Sequence, residues 1–192
     1  NPAGHVLINE IMYNPAAPAA SFVELYNASA TEGFDLSGFK LGGADYLFAP
    51  GTWLGPTSYC VVAGDLPAFA EAYTGDVLRV VGKFDGTLDN GGERLTLEQP
   101  TGTYQYQTND AYGQVITVTV TNYTVLDQVT YDDDPPWPTA ADGTGASLQL
   151  VDPAQDNDRV GNWAAYTAGW QYMSVTGTAS STTIYLYLEA GG

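Results

Sequence analysis

The chain has 192 residues, enough for one well-packed β domain, and its 44% hydrophobic content is too high for a disordered tail. Its 22 acids against 5 Lys and Arg give a formal net charge of −17, which repels phosphate backbones and excludes nucleic acid as a partner. No apolar run approaches the ~18 residues of a spanning helix, so direct membrane insertion is not expected. An acidic, solubilising surface of this kind fits a secreted or cell-surface protein, and Asn1 to Gly4 runs straight into a strand-like segment, as in a mature or trimmed chain.

Strand signals begin at once. Residues 5–13 (HVLINEIMY) and 22–27 (FVELYN) are rich in β-branched and aromatic side chains, and the prolines of Asn14-Pro15-Ala16-Ala17-Pro18 mark the loop between them. Residues 39–41, 57–63, 77–81 and 94–98 are further strand candidates. Gly42-Gly43, Pro50-Gly51, Gly55-Pro56, Asp85-Gly86 and Asn90-Gly91-Gly92 punctuate them at the spacing a sandwich produces. Cys60 stands alone in the apolar run Tyr59-Cys60-Val61-Val62-Ala63. It reads as a small buried hydrophobe, since one Cys makes no internal disulfide and one Cys with one His makes no zinc site.

One short helix is expected near 66–73. Asp65 caps it, Pro67 fits its first turn, and Leu66, Phe69, Ala70 and Tyr73 recur at helical spacing before Gly75. Beyond Pro100, residues 115–121 (VITVTVT) alternate strictly. Residues 124–131 read as a second strand after Asn122-Tyr123, giving a long hairpin with a Thr face. Residues 132–138 (DDDPPWP) form an extended loop, 146–151 (ASLQLV) the last clear strand of this unit, and Trp163-Ala164-Ala165 closes it. Two more strands are expected at 170–177 and 182–189.

Eight groups of residues in this order resemble a known family. Ile8-Asn9-Glu10-Ile11, Phe22-Val23-Glu24-Leu25-Tyr26-Asn27 and Asp35-Leu36-Ser37-Gly38-Phe39 look like the opening of a bacterial lamin tail domain. Phe48 through Ala63, with Pro50-Gly51-Thr52 and Leu54, and Asn90-Gly91-Gly92-Glu93-Arg94-Leu95-Thr96-Leu97, resemble its middle. Asp127-Gln128-Val129-Thr130-Tyr131, Pro136-Trp137-Pro138 and Gly145-Ala146-Ser147-Leu148 are similar to its end. The resemblance runs over roughly residues 5–165 and implies an all-β, immunoglobulin-like antiparallel β-sandwich without the disulfide common in such domains. It also implies a non-catalytic role, as a secreted or surface accessory module. Residues 101–125 depart from the family as an insertion. The tail, 169–190, resembles the start of a jelly-roll carbohydrate-binding module. The expected organisation is a sandwich over 1–166, followed by C-terminal strands over 167–192 that either pack on it or begin a truncated module.

Candidate sites follow from chemistry. Calcium takes six to eight hard oxygens, and two Asp-rich clusters offer them: Asp132 with Asp134, and Asp152 with Asp156 and Asp158. In an extended segment Asp132 and Asp134 converge and Asp133 points away. The same acids also fit a purely structural reading, as turn caps bonded to backbone amides. Glu10 and Glu24 lie inside strands. If those strands pair, one carboxyl needs a partner or a raised pKa. Exposed aromatics stack on sugars, which makes Trp137, Trp170, Tyr185 and Tyr187 candidate ligand contacts, whereas Trp53 and Trp163 read as core. No catalytic constellation is recognisable, so no enzyme is expected. Three functions are open: an interaction or tethering module contacting other protein domains or subunits, a carbohydrate-binding module contacting glycans, and a subunit of a surface filament or assembly joined by edge-strand pairing.

Overall fold

Runs of β-branched and aromatic residues, broken by Gly, Pro and Asp, become strands in the computed structural model, which describes residues 1–73 and 79–167. In chain order these are β1 (Val6–Met12), β2 (Phe22–Asn27), β3 (Phe34–Asp35), β4 (Lys40–Gly42), β5 (Tyr46–Leu47), β6 (Trp53–Leu54), β7 (Tyr59–Ala63), helix α1 (Leu66–Ala72), β8 (Val80–Lys83), β9 (Glu93–Asn109), β10 (Val115–Tyr131), β11 (Ala146–Leu150) and β12 (Trp163–Thr167). A six-stranded sheet in the order β12-β11-β1-β2-β7-β8 faces a four-stranded sheet in the order β10-β9-β4-β5, and β3 pairs with β6.

A single dry interior joins the two larger sheets. Val6, Ile8, Val23, Leu25, Cys60, Val62 and Leu148 from the first meet Leu41, Leu95, Leu97, Val129 and Tyr131 from the second. Each such side chain contributes about 1.5–3 kcal/mol when fully removed from water, and this burial replaces any disulfide. Cys60 is buried as the sequence suggests, and burial pushes its thiol up to about 12, which silences it as a nucleophile. The helix packs Phe69 against Phe22, Met12 and Val61 in a second cluster. Its N-terminus is held by the Asp65 side chain, which accepts the Ala68 N–H at 3.0 Å. Gly75, the expected stop, and residues 77–78 lie outside the described residues, as do the strands expected at 170–177 and 182–189.

The structure corrects the sequence reading in three places. First, β7 and β8 pair in parallel, because α1 carries the chain back across the sheet before β8 enters. Second, Asn122-Tyr123 is no turn. Residues 115–131 form one continuous strand, with register shifts at Asn122/Tyr123 and Val125/Asp127, and its partner is β9 along the whole length. The turn lies instead at Asp110–Gly113, where Asp110 Oδ1 accepts the N–H groups of Tyr112 and Gln114 and Gly113 takes φ +78°. Third, Trp53 is 54% exposed and not core. Its indole lies over Gly33, where a Cβ would come within 2.5 Å of the ring.

Candidate functional site

Glu10 and Glu24 face each other in the β1–β2 register and both are buried. Ser147 Oγ donates to Glu10 Oε1 at 2.6 Å, and Asn9 Nδ2 donates to Glu24 Oε1 at 2.9 Å. Burial pushes Glu24 up to about 7, the Glu10 charge adds to this, and the Asn9 bond opposes it.

A third buried carboxylate, at a residue that the sequence does not single out as a candidate, joins the two sheets. Asp127 Oδ2 accepts the Ile8 N–H and Asn157 Nδ2, both at 2.7 Å, beside the register shift in β1 that frees Ile8 from its ladder. Asn157 O then accepts Trp163 Nε1 at 2.6 Å. Burial raises Asp127 to about 6 despite the bonds that favour its charged form. Only Asp127 within the family-like motif hinted at this role. Its partner Asn157 comes from a loop that no local pattern connects to it.

The two Asp-rich clusters differ. Carboxylate oxygens of Asp132, Asp133 and Asp134 lie within 4.8 Å of one another, so Asp133 converges with its neighbours instead of pointing away. A local turn does this: Asp132 Oδ1 accepts the Asp134 N–H at 3.0 Å. Partial desolvation and then the charges of Asp134 and Asp132 raise Asp133. The three could supply three hard oxygens, fewer than calcium takes. Asp152, Asp156 and Asp158 form no such group among the described residues. Asp152 accepts the Ala154 N–H at 2.9 Å, Asp156 the Asp158 N–H at 3.0 Å, and Asp158 the Thr130 N–H at 3.2 Å.

Among the sugar-stacking candidates, Trp137 is the one within the described residues, and it is buried. It packs on Trp163 with ring centroids 6.1 Å apart, closed in by the core. Packed in this way, the indole presents little surface to a ligand. Trp170, Tyr185 and Tyr187 lie outside the described residues.

What the surface does offer is an arm. The base of the β9–β10 hairpin belongs to the sandwich: Leu95, Leu97, Val129 and Tyr131 are buried, and β4 pairs with β9 as far as Glu98. Lys40 Nζ sits 5.5 Å above the Tyr123 ring and braces the point of departure. Beyond it, residues 99–109 and 115–124 pair, among the described residues, only with each other. Ten residues at ~3.4 Å each give a reach of roughly 34 Å. Alternation sorts the side chains. Tyr104 opposes Val120, Tyr106 opposes Val118 and Thr108 opposes Ile116 on one face; Thr103, Gln105, Gln107, Thr117, Thr119 and Thr121 share the other. Gln105 Nε2 donates to Thr119 Oγ1 at 3.0 Å on this polar face. On the apolar face Tyr104 is 50% and Tyr106 47% exposed, their rings stacked at 6.3 Å. Sequence reasoning finds the Thr face and the 94–98 start of β9 but not the continuation of β9 to Asn109. The Tyr104 and Tyr106 alternation, mirrored by Val118 and Val120 about Tyr112, is the available signal.

Two packed sheets, a buried carboxylate clasp and an exposed arm define a β-sandwich module of immunoglobulin-like type. The sequence profile of the family described as Lamin Tail Domain matches residues 1–192, and the chain belongs to that family. The match includes the insertion and the tail. No curated protein and no solved structure matches the chain.

Proposed function

We propose that this chain is a non-catalytic interaction and tethering module of a larger extracellular or cell-surface protein, and that the β9–β10 arm meets the partner. One observation carries this reading: a long apolar ribbon face stands exposed on a chain of net charge −17, yet residues 99–126 hold a single charged side chain, Asp110 at the tip. Exposed apolar surface rimmed by polar groups marks contact sites, and this one is held rigidly at its base. The partner is another protein domain or subunit.

Family membership and the state of the reactive groups support a binding role. His5 stacks on Phe34 at 6.0 Å, and the Cys60 thiol is buried and neutral. The carbohydrate reading loses Trp137 to the core.

A photo-reactive phenylalanine analogue placed at position 106 tests the proposal against the same probe at exposed Glu32. With the source's extracellular fraction, cross-links to protein are expected from position 106 alone. Equal labelling from both positions, retention on insoluble polysaccharide, or turnover of a substrate by the purified chain would overturn it.

A further inference from the structure

The nature of the arm's partner can be narrowed. We infer that the arm docks on a second copy of itself, apolar face against apolar face, an inference that rests on the arm being the recognition element. Three observations point this way.

The first is charge. Two chains of net charge −17 repel each other wherever their acidic surfaces meet, so a self-contact needs a neutral patch. Residues 99–109 and 115–126 carry no Asp, Glu, Lys or Arg at all. A basic partner would be drawn to the acidic surfaces and would gain nothing from this patch.

The second is self-complementarity. A two-fold contact brings the same residues together from both sides, and Tyr104, Tyr106, Ile116, Val118 and Val120 form a patch of aromatic and β-branched side chains that stack on their own kind. Removing Tyr104, Tyr106 and Ile116 from water, now 50%, 47% and 41% exposed, drives the contact.

The third is the open edge. Among the described residues β10 lies at the end of its sheet, with no strand on its outer side. Exposed edges are normally blunted by Lys, Pro or inward charges, and residues 115–126 contain none of these. The register shift at Asn122/Tyr123 leaves the eight residues 115–122 in unbroken register with β9, so the apolar face runs without interruption over that length and nothing on its outer edge bars a second copy's face.

The contact is small. A ribbon about 34 Å long and about 10 Å wide presents roughly 340 Å², below the ~800 Å² per partner of a stable complex, so association is reversible at micromolar or weaker affinity. Added salt strengthens it, because screening removes the repulsion between acidic bodies while leaving the apolar contact intact.

Sedimentation equilibrium on the full chain over a wide concentration range, at about 0.05 and about 0.5 M salt, reads this directly. A concentration-dependent dimer is expected, several-fold tighter at high salt. Val118→Lys at the centre of the face abolishes it, Ile116→Lys further out weakens it, and Val151→Lys, the same charge change at an exposed site off the arm, leaves it in place. Circular dichroism confirms that each variant keeps its fold; if Val118→Lys does not, Ile116→Lys carries the test. A chain that stays monomeric while position 106 cross-links to a different protein overturns the second-copy partner and leaves the arm as recognition element. A cross-link from position 106 to the chain's own residues 168–192 also overturns it. A monomer with no cross-link overturns both. Dimerisation weakened by salt, or untouched by Val118→Lys, shows that the contact lies elsewhere.

Discussion

Glu10 and Glu24 stand directly opposite each other across β1 and β2, two carboxyl groups sharing one buried position in the sheet. Ser147 donates to one and Asn9 to the other. Such a pair holds a proton in the folded state that the unfolded chain releases.

The sign of the pH dependence follows. Glu24 titrates near 7 when folded against an ordinary value of 4.5, so its stabilising proton is fully held below about pH 4.5 and is lost as pH rises through 7. A shift of this size corresponds to about 3 kcal/mol. Asp127, raised to about 6, acts in the same direction. The melting temperature should therefore fall between pH 5 and pH 8. Glu24→Gln, which can still accept from Asn9, should flatten that fall and raise the melting temperature at pH 8 by roughly 5–10 °C. A wild-type profile that rises over this interval would contradict the assignment.

Removing the carboxylate of Asp127 leaves the Ile8 N–H and Asn157 Nδ2 without their shared acceptor inside the sandwich. Asp127→Ala should cost about 3 kcal/mol, since stranded buried donors cost ~1–3 kcal/mol each. Chemical denaturation measures it as a lowered midpoint. An unchanged midpoint would show that water satisfies both groups.

Adjacent glycines in the Asn90-Gly91-Gly92 turn should respond unequally. Gly92 takes φ +99°, and a Cβ there would stand 2.5 Å from the Tyr131 carbonyl oxygen. Gly92→Ala should destabilise by about 3 kcal/mol or more through strain and backbone clash. At Gly91 the nearest atom is Asp89 Oδ1 at 3.5 Å, an ordinary contact, so Gly91→Ala should stay within about 0.5 kcal/mol of wild type. Thermal melts of the two variants side by side settle the comparison.

Trp137 packs against Trp163 at the edge of the core. Trp137→Ala should therefore cost about 3–5 kcal/mol of stability in a denaturant titration, as large aromatic truncations do. Full stability together with loss of binding to a polysaccharide would restore it to the ligand surface.

The fold was largely legible because its signals are local. Runs of β-branched and aromatic residues in β1, β2, β7 and β11 and the Asp65-Pro67 start of α1 fix those elements without reference to anything distant. What escaped was relational. Asp127 finds Asn157 across 30 residues, and β9 continues past Pro100 and Gly102 because β10 supplies a partner strand that propensity alone cannot announce. The burial of Trp137 is relational in the same way: a proline-flanked indole is exposed or buried according to what Trp163 does, and those residues meet only in the folded chain.

The most direct measurement compares partner capture by the immobilised wild-type chain with capture by a chain in which residues 101–124 are replaced by a two-residue Asn-Gly turn. The account predicts that the shortened chain keeps the near-ultraviolet dichroism and melting behaviour of the sandwich and no longer retains the partner. A shortened chain that still holds the partner would contradict it.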